Sequence, residues 1–432
     1  MIYLLLLSII LLLIYEVRTR KSFVAPTVML LLSFLMASSL IFINYFNWDV
    51  SLSPKFLLYV LTAILSFVIC AHATRYILKD IRVGKMMTFQ RYKDISNPRW
   101  SMEVILIIVF LLYIMLYFRR VGFNLDLTAI MSSAYNSNVS NSGNSGSFLE
   151  TQLLKMVTGI VYISYYQIFL ARFVVKRHST KFILILNTTI FLLTAILSTD
   201  RNILLRFFIF SIVLWIMFYF DSNKDYMKNI NFKIFKRLIL YGVIVLFVFY
   251  IAGRLKGYVS NFQRSISLYG GSGLYNFNIL LNNSNGYQLK MGEETFKSVK
   301  VLLNTIFGTV SQETITFFDP QIAYKSSTGF VYISNIYSAL RPFLIDFGYL
   351  GMILFPGFIG IFYESLYSIA MKHKYNFSWI IYSALIYSVV YFSISEQFFA
   401  RIHLGSMYEI FWLIVFYQYV KSPIRFYFGS KK

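Results

Sequence analysis

Five short polar stretches interrupt an otherwise apolar chain, and each carries residues able to do chemistry. "STDRN" supplies Asp200 and Arg201, with Arg206 about one helical turn further on. "AGRLKG" supplies Arg254 and Lys256, and "NFQRS" supplies Arg264. "ISNIYSALRPFLIDFGYLG" supplies Asn335, Tyr337, Arg341 and Asp346. "SISEQFFARIHLG" supplies Glu396, Gln397, Arg401 and His403. Guanidinium groups are forked donors that match phosphate oxygens, so arginines gathered at one depth suit a multiply charged anion. A carboxylate or imidazole beside them could take a proton from an attacking hydroxyl, and Glu396, Asp346 and His403 are the candidates. Each has a plainer alternative. Asp346 pairs with Arg341 or caps the helix that follows, Glu396 pairs with Arg401, and His403 starts a helix at an interface.

Other chemistries are missing. The four histidines (His72, His178, His373, His403) are scattered, with no HExxH, and the single cysteine, Cys70, allows neither CxxC nor an internal disulfide. No GxSxG elbow or dinucleotide fingerprint occurs. "YGGSGLYN" is glycine-rich but lacks a following Lys-Ser/Thr, and it reads as a turn. No metal and no cofactor is expected.

The elements that must position these groups are membrane spans. The chain has 432 residues, of which 58% are hydrophobic, 19% aromatic and only 13% charged. That much apolar surface belongs in a bilayer. The net charge of +22 does not point to nucleic acid, because most of it lies in short loops between apolar runs. Hydropathy places eleven spans near 2–15, 23–46, 56–78, 102–118, 153–175, 182–197, 203–220, 238–252, 347–370, 378–394 and 403–420. The first lacks a basic lead and a cleavage site, so it reads as a retained span. Alternate short loops and the tail hold 23 Lys and Arg, against five in the opposite set. The positive-inside rule then puts the N-terminus outside and the C-terminus in the cytoplasm. The expected organisation is spans one to eight over 1–252, a large extracytoplasmic loop over 253–345, and spans nine to eleven with the tail over 346–432. Within that loop, "GEETFKSVKVLLNTIFG" spaces Phe296, Val299, Leu303 and Ile306 as an amphipathic helix led by Glu293 and Glu294. Such a helix lies on the membrane surface or caps the bundle. The loop at 121–150 is a polar, flexible linker.

With this topology all five polar clusters fall at one depth on the outer side. Charges there normally face a protein cavity or water, although interfacial arginines can also simply touch lipid phosphates. A polyisoprenyl diphosphate-linked sugar presents a multiply charged anion at that level, with its tail in the bilayer and its glycan outside. Arg201, Arg254, Arg264 and Arg341 are the candidates to hold the diphosphate. Aromatic rings stack on sugar faces but also form interfacial belts. Tyr332 and Tyr337 lead the candidates for glycan contact, with Asn335 beside them.

The stretch "NIYSALRPFLIDFGYLGM", through Asn335, Tyr337, Pro342, Asp346, Phe347, Gly348 and Gly351, resembles the end of the large outer loop in bacterial oligosaccharide repeat-unit polymerases, the Wzy-type polymerases of O-antigen and capsule assembly. "STDRN" resembles the short arginine-bearing hairpin of that family, with Asp200 where a small residue is usual and Arg201 matching. The resemblance implies an all-α polytopic membrane fold of the GT-C type in the cytoplasmic membrane. It also implies metal-independent glycosyl transfer between undecaprenyl-diphosphate-linked oligosaccharides, with a chain-length regulator and a flippase as partners.

Three other readings compete. A lipid-linked oligosaccharide flippase or other exporter would show two related halves and polar residues at the bilayer midplane. A membrane acyltransferase would need a catalytic histidine with a partner acid deep in the bundle, and His72 has no evident partner in sequence. A scaffold in an export complex would need none of these groups.

Overall fold

The computed structural model describes residues 1–80, 89–122, 147–177, 181–198, 200–222, 262–283, 289–308, 323–326, 329–332 and 336–422, with isolated helical positions between 242 and 251. The helices are α1 (Ile2–Arg20), α2 (Pro26–Ile43), α3 (Pro54–Ile77), α4 (Phe89–Ser96), α5 (Trp100–Val121), α6 (Phe148–Phe169), α7 (Lys181–Leu197), α8 (Arg201–Ser222), α9 (Phe262–Asn283), α10 (Lys297–Phe307), α11 (Leu340–Lys372), α12 (Phe377–Leu385), α13 (Tyr387–Val390) and α14 (Leu404–Lys421). Their starts follow from local chemistry. Ser53 caps α3 by accepting the Phe56 N–H at 3.2 Å, with Pro54 in the first turn. Ser147 caps α6 by accepting the Glu150 N–H at 3.1 Å.

Among the described residues, seven helices are long and apolar enough to cross a membrane: α1, α2, α3, α5, α6, α8 and α11, some extended by adjoining turns. Two shorter apolar helices, Lys181–Leu197 and Phe377–Val390, coincide with the expected sixth and tenth spans. The expected eighth lies largely outside the described residues. The expected eleventh is α14, whose apolar character is diluted by Gly405, Ser406, Glu409 and Gln418. The first span, expected to be short, is a full 19 residues.

Two local expectations change. "YGGSGLYN" is not a turn but the middle of α9. Tertiary packing overrides glycine's poor helix propensity here. A Cβ on Gly273 would stand 2.5 Å from the carbonyl oxygen of Ile394, so only glycine lets the two segments approach. Around it, Tyr275 stacks on Trp48 with ring centroids 5.8 Å apart, and Asn44 Nδ2 donates to Ser267 Oγ at 2.9 Å. The second change lies in the large loop, where β1 (Ala323–Ser326) pairs antiparallel with β2 (Gly329–Tyr332), Ala323 opposite Tyr332. Apart from this hairpin, the described residues are helices, turns, bends and short irregular segments.

The chain divides into two compact units. The first comprises Met1–Gly84, Val259–His373 and Leu385–Leu404; the second comprises Lys85–Tyr258, Lys374–Ala384 and Gly405–Lys432. In the first unit α11 runs along α3. Ser66 Oγ donates to the Ile353 carbonyl at 2.5 Å, and the Thr62 and Tyr349 hydroxyls lie 3.0 Å apart. α11 is broken at Gly348, whose φ of 60° and ψ of −144° suit glycine alone. The break splits a short helix, 340–347, from the apolar membrane-length stretch 349–372. At 1.5 Å per residue that span is about 36 Å long, enough to cross a hydrocarbon core of about 30 Å. In the second unit an aromatic core joins α6, α7 and α8: Tyr162 stacks on Phe210 at 3.9 Å and Phe191 on Phe207 at 4.2 Å.

Candidate functional site

The short helix 340–347 is where the sequence candidates gather. Pro342 sits in its first turn, where a missing N–H costs nothing. Its last turn carries Asp346, fully buried. Asp346 neither pairs with Arg341 nor caps the span. Its Oδ1 accepts the Glu294 N–H at 3.2 Å and its Oδ2 the Thr295 N–H at 2.6 Å. The backbone continues the clasp, with Lys290 N–H donating to the Ile345 carbonyl at 3.2 Å and Met291 N–H to the Asp346 carbonyl at 3.3 Å. Asp346 therefore fastens 290–296 to the head of the span. Because its partners are main-chain donors, no spacing in the sequence announced it.

Arg341 is held from two sides. Its Nη1 lies 3.3 Å from Glu294 Oε2, and its guanidinium covers the Tyr337 ring at 4.5 Å from the centroid. Lys290 Nζ reaches the same carboxylate, 2.9 Å from Glu294 Oε1. Two cations thus share one acid on a partly exposed patch, and Glu293 lies close enough to act on Lys290 as well. Glu294, expected only as a helix-leading acid, is the hub of this group. Its four-residue spacing from Lys290 was the available signal. The helix it was expected to open begins later, at Lys297, after turns over 291–296.

The 396–401 segment stands on the same foundation. Phe399 packs against Phe296 at 5.2 Å, Phe355 at 5.6 Å and Phe343 at 6.2 Å between ring centroids. Glu396 does not pair with Arg401. Its Oε1 accepts the N–H groups of Phe398 and Phe399 at 2.6 and 2.8 Å, and its Oε2 accepts that of Ala400 at 2.8 Å. Burial pushes its carboxyl up to about 7, against the opposing pull of those three donors. Arg401 turns to Gln397 Oε1 at 3.4 Å and lies 5.9 Å from the Tyr387 ring centroid. His403 is half-buried, and its backbone N–H closes the turn on the Arg401 carbonyl at 2.9 Å.

The remaining candidates fall elsewhere. Arg201 opens α8 in the second unit, where Asp200 caps the helix by accepting the Asn202 N–H at 2.9 Å; the Arg201 side chain lies outside the described residues. Arg264 is in the first turn of α9 and Tyr332 ends β2, both described by backbone alone. Arg254 and Asn335 lie outside the described residues. The first unit therefore assembles Arg341, Tyr337, Asp346 and the 396–403 segment, and adds Lys290 and Glu294.

Three further charged groups were not assembled from the sequence, although Arg206 was noted there beside Arg201. In the second unit Arg206 and Lys155 both bind buried Glu409, Lys155 Nζ at 3.4 Å, and Arg120 pairs with Glu150 at 2.7 Å. In the first unit, toward the C-terminal ends of α1, α3 and α11, Glu16 and Glu364 are buried around Arg20. Arg20 Nη1 lies 2.8 Å from Glu364 and its Nε 3.3 Å from Glu16. Thr27 Oγ1 donates to Glu16 at 2.6 Å, and His72 Nε2 lies 2.6 Å from Glu16 Oε1. His72 thus has a partner acid, contrary to expectation. An acid inside an apolar span is itself a signal of such a network; Arg20 stands only four residues from Glu16, but His72 is 56 residues away and Arg20 reaches Glu364 across 344 residues. Comparison with known protein families, curated proteins and solved structures finds no match for this chain.

Proposed function

We propose that the chain is a membrane glycosyltransferase. It joins undecaprenyl-diphosphate-linked oligosaccharide repeat units into O-antigen or capsular polysaccharide on the outer face of the cytoplasmic membrane. The observation that carries this reading is the group at the head of α11. Arg341 and Lys290 share Glu294 beside Tyr337, where a membrane span begins, and the Glu396 turn rests on the same aromatic cluster. In this reading the chain crosses eleven times in a GT-C-like bundle, with the N-terminus outside and the C-terminus in the cytoplasm.

An acceptor hydroxyl attacks the donor's anomeric carbon. The bond from that carbon to the lipid diphosphate breaks, and the diphosphate leaves with the electron pair. Charge stabilisation of the leaving group comes from Arg341 and Lys290, with Arg201, Arg254 and Arg264 as the other candidates. Glu294 holds the two cations in place until phosphate oxygens compete for them. The acceptor's proton passes to Glu396, whose Oε2 accepts one N–H and so keeps a lone pair for a second donor. A base poised near pH 7 suits this work. His403 stands in the same segment as the alternative base. Asp346, occupied by two backbone donors, is a positioning residue.

Deletion of the gene tests the reading. Loss of a polymerase leaves single repeat units on the cell surface, whereas loss of a flippase traps lipid-linked units inside. One observation favours a second reading, acyl transfer: the His72 imidazole is held by buried Glu16. That reading predicts a deletion strain with unchanged chain length and missing acyl groups.

A further inference from the structure

α10 is an amphipathic helix with one face left over. At 100° per residue, Leu302, Ile306, Val299, Leu303 and Phe307 share a continuous arc, while Val301 and Thr305 lie opposite. Leu302 is the buried member of that arc. Leu303, Ile306 and Phe307 are 46%, 57% and 68% exposed, unusually apolar for a helix ending in open water. Lys300 flanks the arc and Lys297 stands further round.

The depth of this face follows from α11. The span begins at Tyr349, just past the Gly348 break. Phe296, the residue before α10, places its ring 6.2 Å from Phe347 and 5.8 Å from Phe355, on either side of that boundary. The Asp346 clasp fixes 290–296 to the same level. α10 therefore departs from the level at which the α11 span begins, a span whose Leu350 and Leu354 are themselves exposed.

We propose that α10 lies in the headgroup layer of the leaflet at the N-terminal end of α11. Leu303, Ile306 and Phe307 enter the acyl boundary, and Lys297 and Lys300 reach anionic lipid phosphates. The partner is the bilayer surface itself. Apolar residues flanked by lysines match it, because long basic side chains keep their ammonium groups at the phosphates while their stems cover apolar surface. Docked this way, α10 braces the 290–296 segment that carries Lys290 and Glu294.

Cys70 is the only cysteine, so the full chain with Cys70→Ser accepts single spin labels. Labels at Leu303→Cys, Ile306→Cys and Phe307→Cys are compared with Val301→Cys and Thr305→Cys in proteoliposomes of phosphatidylethanolamine and phosphatidylglycerol. The first three should collide readily with oxygen and several-fold less with an aqueous nickel chelate, and the last two the reverse. Equal access of the chelate to all five positions overturns the proposal, since the helix then stands in water. Shielding of the first three from both reagents also overturns it, since protein then covers the face. A second set uses phosphatidylcholine vesicles and the K297Q/K300Q variant. Chelate access to the Leu303 label should rise several-fold in either case; no change overturns the lysine–phosphate contact. Neither readout depends on glycosyl transfer.

Discussion

Replacing Asp346 with alanine should release one segment while leaving the fold standing. The carboxylate is fully buried and accepts two backbone N–H groups, from Glu294 at 3.2 Å and Thr295 at 2.6 Å. A hydrogen bond to a charged group contributes about 1.5–3 kcal/mol, and an abandoned buried donor costs about 1–3 kcal/mol. Losing both bonds should therefore lower the local opening free energy of 290–296 by about 3 kcal/mol or more. At about 1.4 kcal/mol per factor of ten, that is on the order of a hundredfold faster amide exchange at Glu294 and Thr295. Asp346→Asn keeps one acceptor and should fall roughly midway in free energy. Hydrogen–deuterium exchange with mass spectrometry on the full chain in nanodiscs measures this directly, with α6 as the internal reference. Wild-type protection at 290–296 in the alanine variant would refute the clasp. Equal loss of protection in α6 would show that Asp346 holds the whole fold, not this segment.

Arg341→Ala should reduce polymer formation by about 10²–10³-fold, and Arg341→Lys less, because lysine keeps the charge but not the fork; a gel ladder of surface polysaccharide reads both, and near-normal ladders would remove Arg341 from the site. A base whose carboxyl is raised from 4.5 to about 7 is protonated at low pH, so the turnover rate should climb with pH and level off above about 7. Glu396→Gln should abolish that limb, and its survival would point to His403. By the same sign, stability owed to protonated Glu396 is full below pH 4.5 and is lost as pH rises through about 7. In the second unit, Glu409→Gln strips the carboxylate from Arg206 and Lys155 and should destabilise by about 3–5 kcal/mol. A thermal melt in detergent unchanged from wild type would contradict that.

The apolar runs marked the long helices because a span must satisfy its own backbone in lipid, and that demand is written locally as length and hydropathy. Where structure depends on distant partners, the local text misled. The glycines of α9 read as a turn because nothing nearby reveals Ile394 pressing on Gly273. The hairpin at 323–332 was missed because its four-residue strands are too short to show a period. Arg341 and Asp346, offered in the sequence as possible partners for each other, each found another. Glu294 took the arginine, and the backbone of 294–295 took the aspartate. Glu409 and Glu16 lay in plain sight as acids within apolar helices; Arg206 and His72 were brought to them by folding.

The glycine at 348 has a consequence for how this region can change. Any side chain there disfavours the reversal of the backbone, and the path of least strain is one straight rod from 340 to 372. The span would still satisfy the bilayer, so insertion and abundance would look normal. The seven or eight residues before it, however, would be carried up to about 12 Å outward along the axis, away from their neighbours. Occupancy of the membrane and competence of the head group are thus separable properties of one helix, and a single atom of hydrogen in place of a methyl keeps them joined.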